Sequence, residues 1–109
     1  MANIYTNVKA DLTTNGNTSI FTVPTATTAI VKSFLVSNDS ISADPIQVEI
    51  VDTADATYNL FKSQSIAANS TVELLTNPLV LTEGEQIKVQ ATTADRLHVI
   101  LSMLQLNRD

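Results

Sequence analysis

The chain has 109 residues, 44% hydrophobic and only 16% charged, a single-domain size that buries roughly 65% of its unfolded surface. With no Cys it has no disulfide scaffold, thiolate metal site or Cys nucleophile. Six Lys and Arg stand against eleven Asp and Glu, a net charge of -5, and Lys9, Lys32, Lys62, Lys88, Arg96 and Arg108 are scattered rather than clustered. A phosphate-backbone binder needs grouped cations, so no nucleic acid partner is expected. The opening Met1-Ala2-Asn3-Ile4-Tyr5 lacks the charged segment and apolar run of a secretory signal. The apolar stretches at 28–36 and 97–104 fall short of the roughly 20 residues of a membrane helix, so no membrane partner is expected either.

In residues 3–12, Ile4, Thr6, Val8, Ala10 and Leu12 alternate with Tyr5, Asn7, Lys9 and Asp11, the period of a half-buried strand. Asn15-Gly16 is a turn signal, since both residues tolerate positive φ, and a strand at 19–23 then stops at Pro24. Residues 28–38 read as a long strand with Ile30, Phe34 and Val36 on one face and Val31 and Leu35 on the other, hence central or covered on both sides. Ile46, Val48 and Ile50 alternate with Gln47 and Glu49, a sheet with one wet face. Asp52 and Asp55 mark a hairpin loop before a short strand at 57–62, with Tyr58 and Leu60 on one side and Phe61 opposite; a helical turn within 56–65 is the competing reading. A bend at 67–70 precedes Val72 and Leu74, Asn77-Pro78 punctuates, and Gly84 supplies a left-handed position in a turn. Ile87, Val89 and Ala91 alternate with Lys88 and Gln90. The last strand, 97–106, sets Leu97, Val99, Leu101 and Met103 against His98, Ile100, Ser102, Leu104 and Leu106.

About seven or eight short antiparallel strands separated by turns make an all-β fold, a single β-sandwich over 1–109 of jelly-roll or immunoglobulin-like type. No internal repeat or linker divides it.

Candidate chemistry is thin. His98 is the only histidine and sits on an apolar strand; Ser102 and Asp95 complete a triad on paper, but Ser102 follows no strained nucleophile turn. Asp52 with Asp55, and Glu83 with Glu85, lack the alternating acids of a calcium loop and read as turn residues. Asn17, Asn38 and Asn69 open glycosylation-type triplets that are read as loops. No catalytic, cofactor-binding or metal-ligating residue is assigned, and no cofactor is expected. A sugar-binding sandwich would need Tyr5 and Tyr58 exposed side by side.

The last strand is apolar on both faces near its end, and the first carries Ile4 and Tyr5 on opposite sides. A small monomeric sandwich keeps one face of each sheet wet, so Ile4, Tyr5, Ile100, Met103, Leu104 and Leu106 are the candidate interface residues. Either tail, Met1 to Tyr5 or Asn107 to Asp109, is a candidate hook onto a neighbouring subunit.

The order Phe21-Thr22-Val23-Pro24, a strand ending in Asn38, Ile66-Ala67-Ala68-Asn69-Ser70-Thr71, and Leu81-Thr82-Glu83-Gly84-Glu85-Gln86-Ile87 resembles small virion structural proteins of tailed bacteriophages. Glu85 stands where that group commonly has Asp. The resemblance implies a non-enzymatic β-sandwich present in many copies, a homo-oligomer, with a trimer the form expected. Its implied partners are the major capsid protein or other virion proteins, and its implied place is the virion, assembled in the host cytoplasm. A capsid decoration or cement protein is the leading role, and a neck, tail or fibre-base adaptor the alternative.

Overall fold

The computed structural model describes residues 2–108. Nine strands follow one another: β1 (Ala2–Asp11), β2 (Thr18–Thr22), β3 (Thr27–Asn38), β4 (Asp44–Val51), β5 (Thr57–Ile66), β6 (Ser70–Glu73), β7 (Leu79–Leu81), β8 (Gln86–Ala91) and β9 (Leu97–Asn107). They form two antiparallel sheets, a first in the order β1-β9-β3-β6 with β7 also on β3, and a second in the order β2-β8-β4-β5. β6 and β7 pair with successive stretches of the same edge of β3 and so act as one strand position interrupted around Pro78. Counted that way, β1 pairs β9, β2 pairs β8, β3 pairs β6 and β7, and β4 pairs β5. This is one long antiparallel ribbon, rolled up by the further pairings β3 with β9 and β4 with β8. Of the two expected architectures, the pairing selects the jelly roll.

The core lies between the sheets. Ala29, Val31, Phe34 and Val36 of β3 and Leu97, Val99, Leu101 and Met103 of β9 face Ile46, Val48 and Ile50 of β4 and Ile87 and Val89 of β8. β3 is central as expected, but its faces differ from strict alternation. The register shifts between Val31 and Ser33, leaving Lys32 as an extra residue, so Val31 joins Phe34 and Val36 inside while Ile30 points out with Leu35. One bulged residue exchanges the two sides of a period-2 strand. β5 shows the same effect: residues 57–66 form a strand rather than a helical turn, and two register shifts set Phe61 opposite buried Val48 and Tyr58 opposite Ile50, on the same side.

Loops are held by side chains. Asn38 is not a surface loop residue: it is buried, its Nδ2 donates to the carbonyls of Ser42 and Ile66, and its Oδ1 accepts the N–H and hydroxyl of Ser40. The expected left-handed turn at Gly84 is present with φ 84°, and a Cβ there would come within 2.6 Å of Thr53 Cγ2. The C-terminal end is not a free hook as far as Arg108, which donates to Ala26 O through its amide and to Thr28 Oγ1 and Glu83 Oε1 through its guanidinium. Met1 and Asp109 lie outside the described residues.

Where β6 leaves β3 beside the bulge, the backbone ladder has a gap. Glu73 fills it: its carboxylate accepts the hydroxyl of Ser33 and the amides of Phe34, at 2.6 Å, and Leu75, at 3.3 Å. Partial burial by itself would raise the Glu73 pKa, but these three donors outweigh it and hold the group below the ordinary carboxylate value. The bonded form is therefore the charged one, and its stabilisation is complete above the unfolded carboxylate pKa and lost as pH falls through the lower folded value. Glu73→Ala is expected to lower stability by about 1–3 kcal/mol, the cost of an amide left without its acceptor, with the deficit shrinking in acid; urea unfolding at neutral and acid pH measures both.

Candidate interaction surface

The two sheets differ on their outward sides. On the second sheet, Gln47 lies opposite Gln90 and Glu49 opposite Lys88, with Asn17 donating to Glu49 and Ser19 to Gln86, a polar surface at ease in water. On the first sheet, register builds cross-strand rows. Tyr5 of β1, Leu104 of β9, Ile30 of β3 and Val80 of β7 form one continuous apolar row over four strands. Tyr5 is 75% exposed and Val80 58%, while Ile30 and Leu104 are half-buried by their neighbours. Leu106 stands in the row beyond, between Asn3 and Thr28, and Ile100 with Leu35 form a second apolar pair between Lys9 and Glu73.

Of the six candidate interface residues, Tyr5, Ile100, Leu104 and Leu106 thus share this outward side. Ile4 does not: it lies on the inward side of β1, 48% exposed. Met103 does not either, and that expectation is corrected. It is 2% exposed, lies opposite Val31, and fills the subunit's own interior. The alternation of β9 separates the two: Met103 points in and Leu104 out. Ile30, Leu35 and Val80 were missed. For Ile30 and Leu35 the signal was hidden by the Lys32 bulge; for Val80 it was present, as the middle residue of a three-residue strand.

The polar candidates are placed as follows. His98 lies between two carboxylates, Nδ1 at 3.1 Å from Asp11 and Nε2 at 3.0 Å from Asp39. Asp95 is not its partner; it sits in the turn before β9, φ 65°, its amide bonded to Leu12 O. Ser102 is four residues further along the strand, roughly 13 Å away at strand rise, so the paper triad is not assembled. Asp52 Oδ1 accepts the amides of Ala54 and Ala56, a side-chain-closed turn. Glu85 Oε1 accepts the amide and hydroxyl of Thr82, while Glu83 pairs with Arg108. Among the described residues no three His, Asp or Glu side chains gather as a metal-ligating group. Tyr5 is on the β1 edge of the first sheet and Tyr58 on the β5 edge of the second, so they do not make the paired platform that sugar binding would need.

The chain matches no family model, and no curated protein matches it in sequence. Among solved structures it is similar to a protein of Bacillus endospore appendages, which form disulfide-linked pili, with TM-score 0.61 and 7% identity over 99% of this chain and 88% of that one. It is also similar to the VP2 protein of infectious bursal disease virus in derived T=1 particles, with TM-score 0.57 and 8% identity over 94% of this chain. The chain spans only 31% of VP2. A pentameric capsid protein from metagenomic phage sequences aligns at TM-score 0.42 with 19% identity over 90% and 59% of the chains, too loose a superposition to carry an argument. At such identities these likenesses show a shared fold.

Adjacent residues on β9 are expected to have opposite fates. Met103→Ala opens a cavity in the core and should cost about 2–5 kcal/mol. Leu104→Ala should cost about 1 kcal/mol or less, because the side chain faces outward. Denaturant unfolding of the two variants checks the assignment of faces.

Proposed function

We propose that this chain is a non-enzymatic structural protein of a bacteriophage virion, a capsid decoration protein that seats the outward side of its first sheet on the assembled shell. The observation that carries the reading is the difference between the sheets. The second presents Gln47, Glu49, Lys88 and Gln90 to solvent, while the first presents Tyr5, Leu104, Ile30 and Val80 in one unbroken row. A flat apolar strip of this kind is a protein-contacting surface. Burying one exposed apolar side chain fully is worth about 1.5–3 kcal/mol, so Tyr5 and Val80, with a smaller share from the half-buried Ile30 and Leu104, yield modest affinity for one copy. Multivalent attachment of an oligomer to a repeating shell raises that without further contacts.

Two lines support the setting. The segment order resembles small tailed-phage virion proteins. The fold is shared with VP2, which forms T=1 particles, and with an appendage protein that forms pili, so this sandwich occurs in proteins that assemble in many copies. The pili are disulfide-linked, a linkage this chain cannot form because it has no Cys.

The test is sedimentation of purified protein with assembled particles of its virus, with bound copies counted. Roughly hundreds per particle, following shell symmetry, is the expected result; a few to a few dozen moves the protein to a neck, tail or fibre-base ring, and none overturns the virion reading. Leu104→Lys is expected to abolish sedimentation with particles while leaving the far-ultraviolet circular dichroism unchanged.

A further inference from the structure

Two sandwiched sheets have four edges, and three of them here are blunted. β2 is five residues long with a register shift between Ser19 and Phe21. β5 carries two register shifts and Lys62. The β6 and β7 edge is split into pieces of four and three residues around Pro78. Short strands, bulges, lysines and prolines are the devices by which folded proteins prevent a strand from pairing with another chain. β1 has almost none of them. It runs ten residues in unbroken register with β9, holds no proline, and carries Lys9 as its single cation.

The direction of its amides follows from one bond. Leu12 N–H donates to Leu97 O, its register partner, so even-numbered residues turn their backbone groups toward β9. The odd-numbered residues Asn3, Tyr5, Asn7 and Lys9 therefore direct their backbone groups away from the sheet.

We propose that two copies of this chain join edge to edge through β1, antiparallel about a two-fold axis, to make one continuous sheet. The occupant is a second copy because a strand edge pairs only with another open edge, and among the described strands the one unblunted edge that another copy offers is its own β1. Such a contact is isologous: it saturates both edges, closing a dimer rather than a trimer or a filament. Outward amides lie on odd residues in both copies, so odd residues pair with odd. Tyr5 of one copy and Tyr5 of the other then stand on the same side of the joined sheet, and the two apolar rows merge into one strip. The inward side gains as well, since Ile4, 48% exposed in one copy, is brought beside the other copy's strand.

The inference does not rest on attachment to a capsid. Light scattering of the free protein is expected to give twice the mass of one chain, and hydrogen exchange should show the Tyr5, Asn7 and Lys9 amides protected alongside Thr6, Val8 and Ala10. Asn7→Pro removes an outward N–H that β9 does not use, and should halve the mass without lowering the unfolding midpoint of the resulting monomer below that of the wild type under dissociating dilution. A wild-type monomer, a trimer, or an oligomer in which Tyr5, Asn7 and Lys9 exchange as unpaired amides overturns it. A dimer that ignores particles keeps this inference and ends the decoration reading; a trimer that binds them does the reverse.

Discussion

The β3–β9 ladder runs over eleven register partners, from Thr27 opposite Asn107 to Asn38 opposite Leu97, and a single inserted residue, Lys32, divides it. Because strand side chains alternate with period two, that insertion decides which of β3's residues meet the core on each side of it. Val31 below and Phe34 above both reach the interior only because Lys32 is left unpaired. The same insertion lifts Ile30 and Leu35 to the outside, where they join Leu104 and Ile100. Glu73 makes the irregularity tolerable by giving the Phe34 amide an anionic acceptor where the neighbouring strand has turned away. Core and outer strip are thus two results of one local distortion.

The outward sides follow from composition in a simple way. A chain with 16% charged residues has few ions to cover its surface, and those on strands of the first sheet, Lys9, Asp11, Lys32 and Glu73, lie outside the row of Tyr5, Leu104, Ile30 and Val80. Asp52, Glu83 and Glu85 close loops by accepting backbone or side-chain donors, and Asp11 and Asp39 hold His98 at the far end of the first sheet from Tyr5. Between that sheet's two apolar rows runs an uncharged polar one, Asn7 opposite Ser102 opposite Ser33.

Much of this was legible in the sequence where alternation was regular. Ile46, Val48 and Ile50 against Gln47 and Glu49, and the whole of β9, have the faces their period implies. Regular alternation also marked Tyr5, Leu104 and Leu106, and it grouped Met103 with Leu97, Val99 and Leu101 on the face that is buried. The faces of β3 and β5 were illegible because a bulge is set by how neighbouring strands fit, and no residue type in Lys32 or its flanks announces it. The His98 arrangement was hidden for another reason. Its partners Asp11 and Asp39 are 87 and 59 residues away in sequence, and only the roll of the ribbon brings them together. The choice of jelly roll over immunoglobulin-like sandwich was equally a matter of long-range pairing, which local pattern does not encode.

The pairing of the first strand with the last has a kinetic side. Within one copy, β1 pairs only with β9 among the described strands, and Leu12 is tied to residues near β9's start while Ala2 lies opposite Asn107. A chain made from its N-terminus therefore carries β1 unpaired until β9 has been synthesised, and closing the sheet requires a loop that spans every strand between the two. Folding is consequently dominated by non-local contacts, in the slow range for small domains. Through that interval Ile4, Tyr5 and Val8 remain open to wrong partners, so high-level expression would reward slow synthesis or a low temperature.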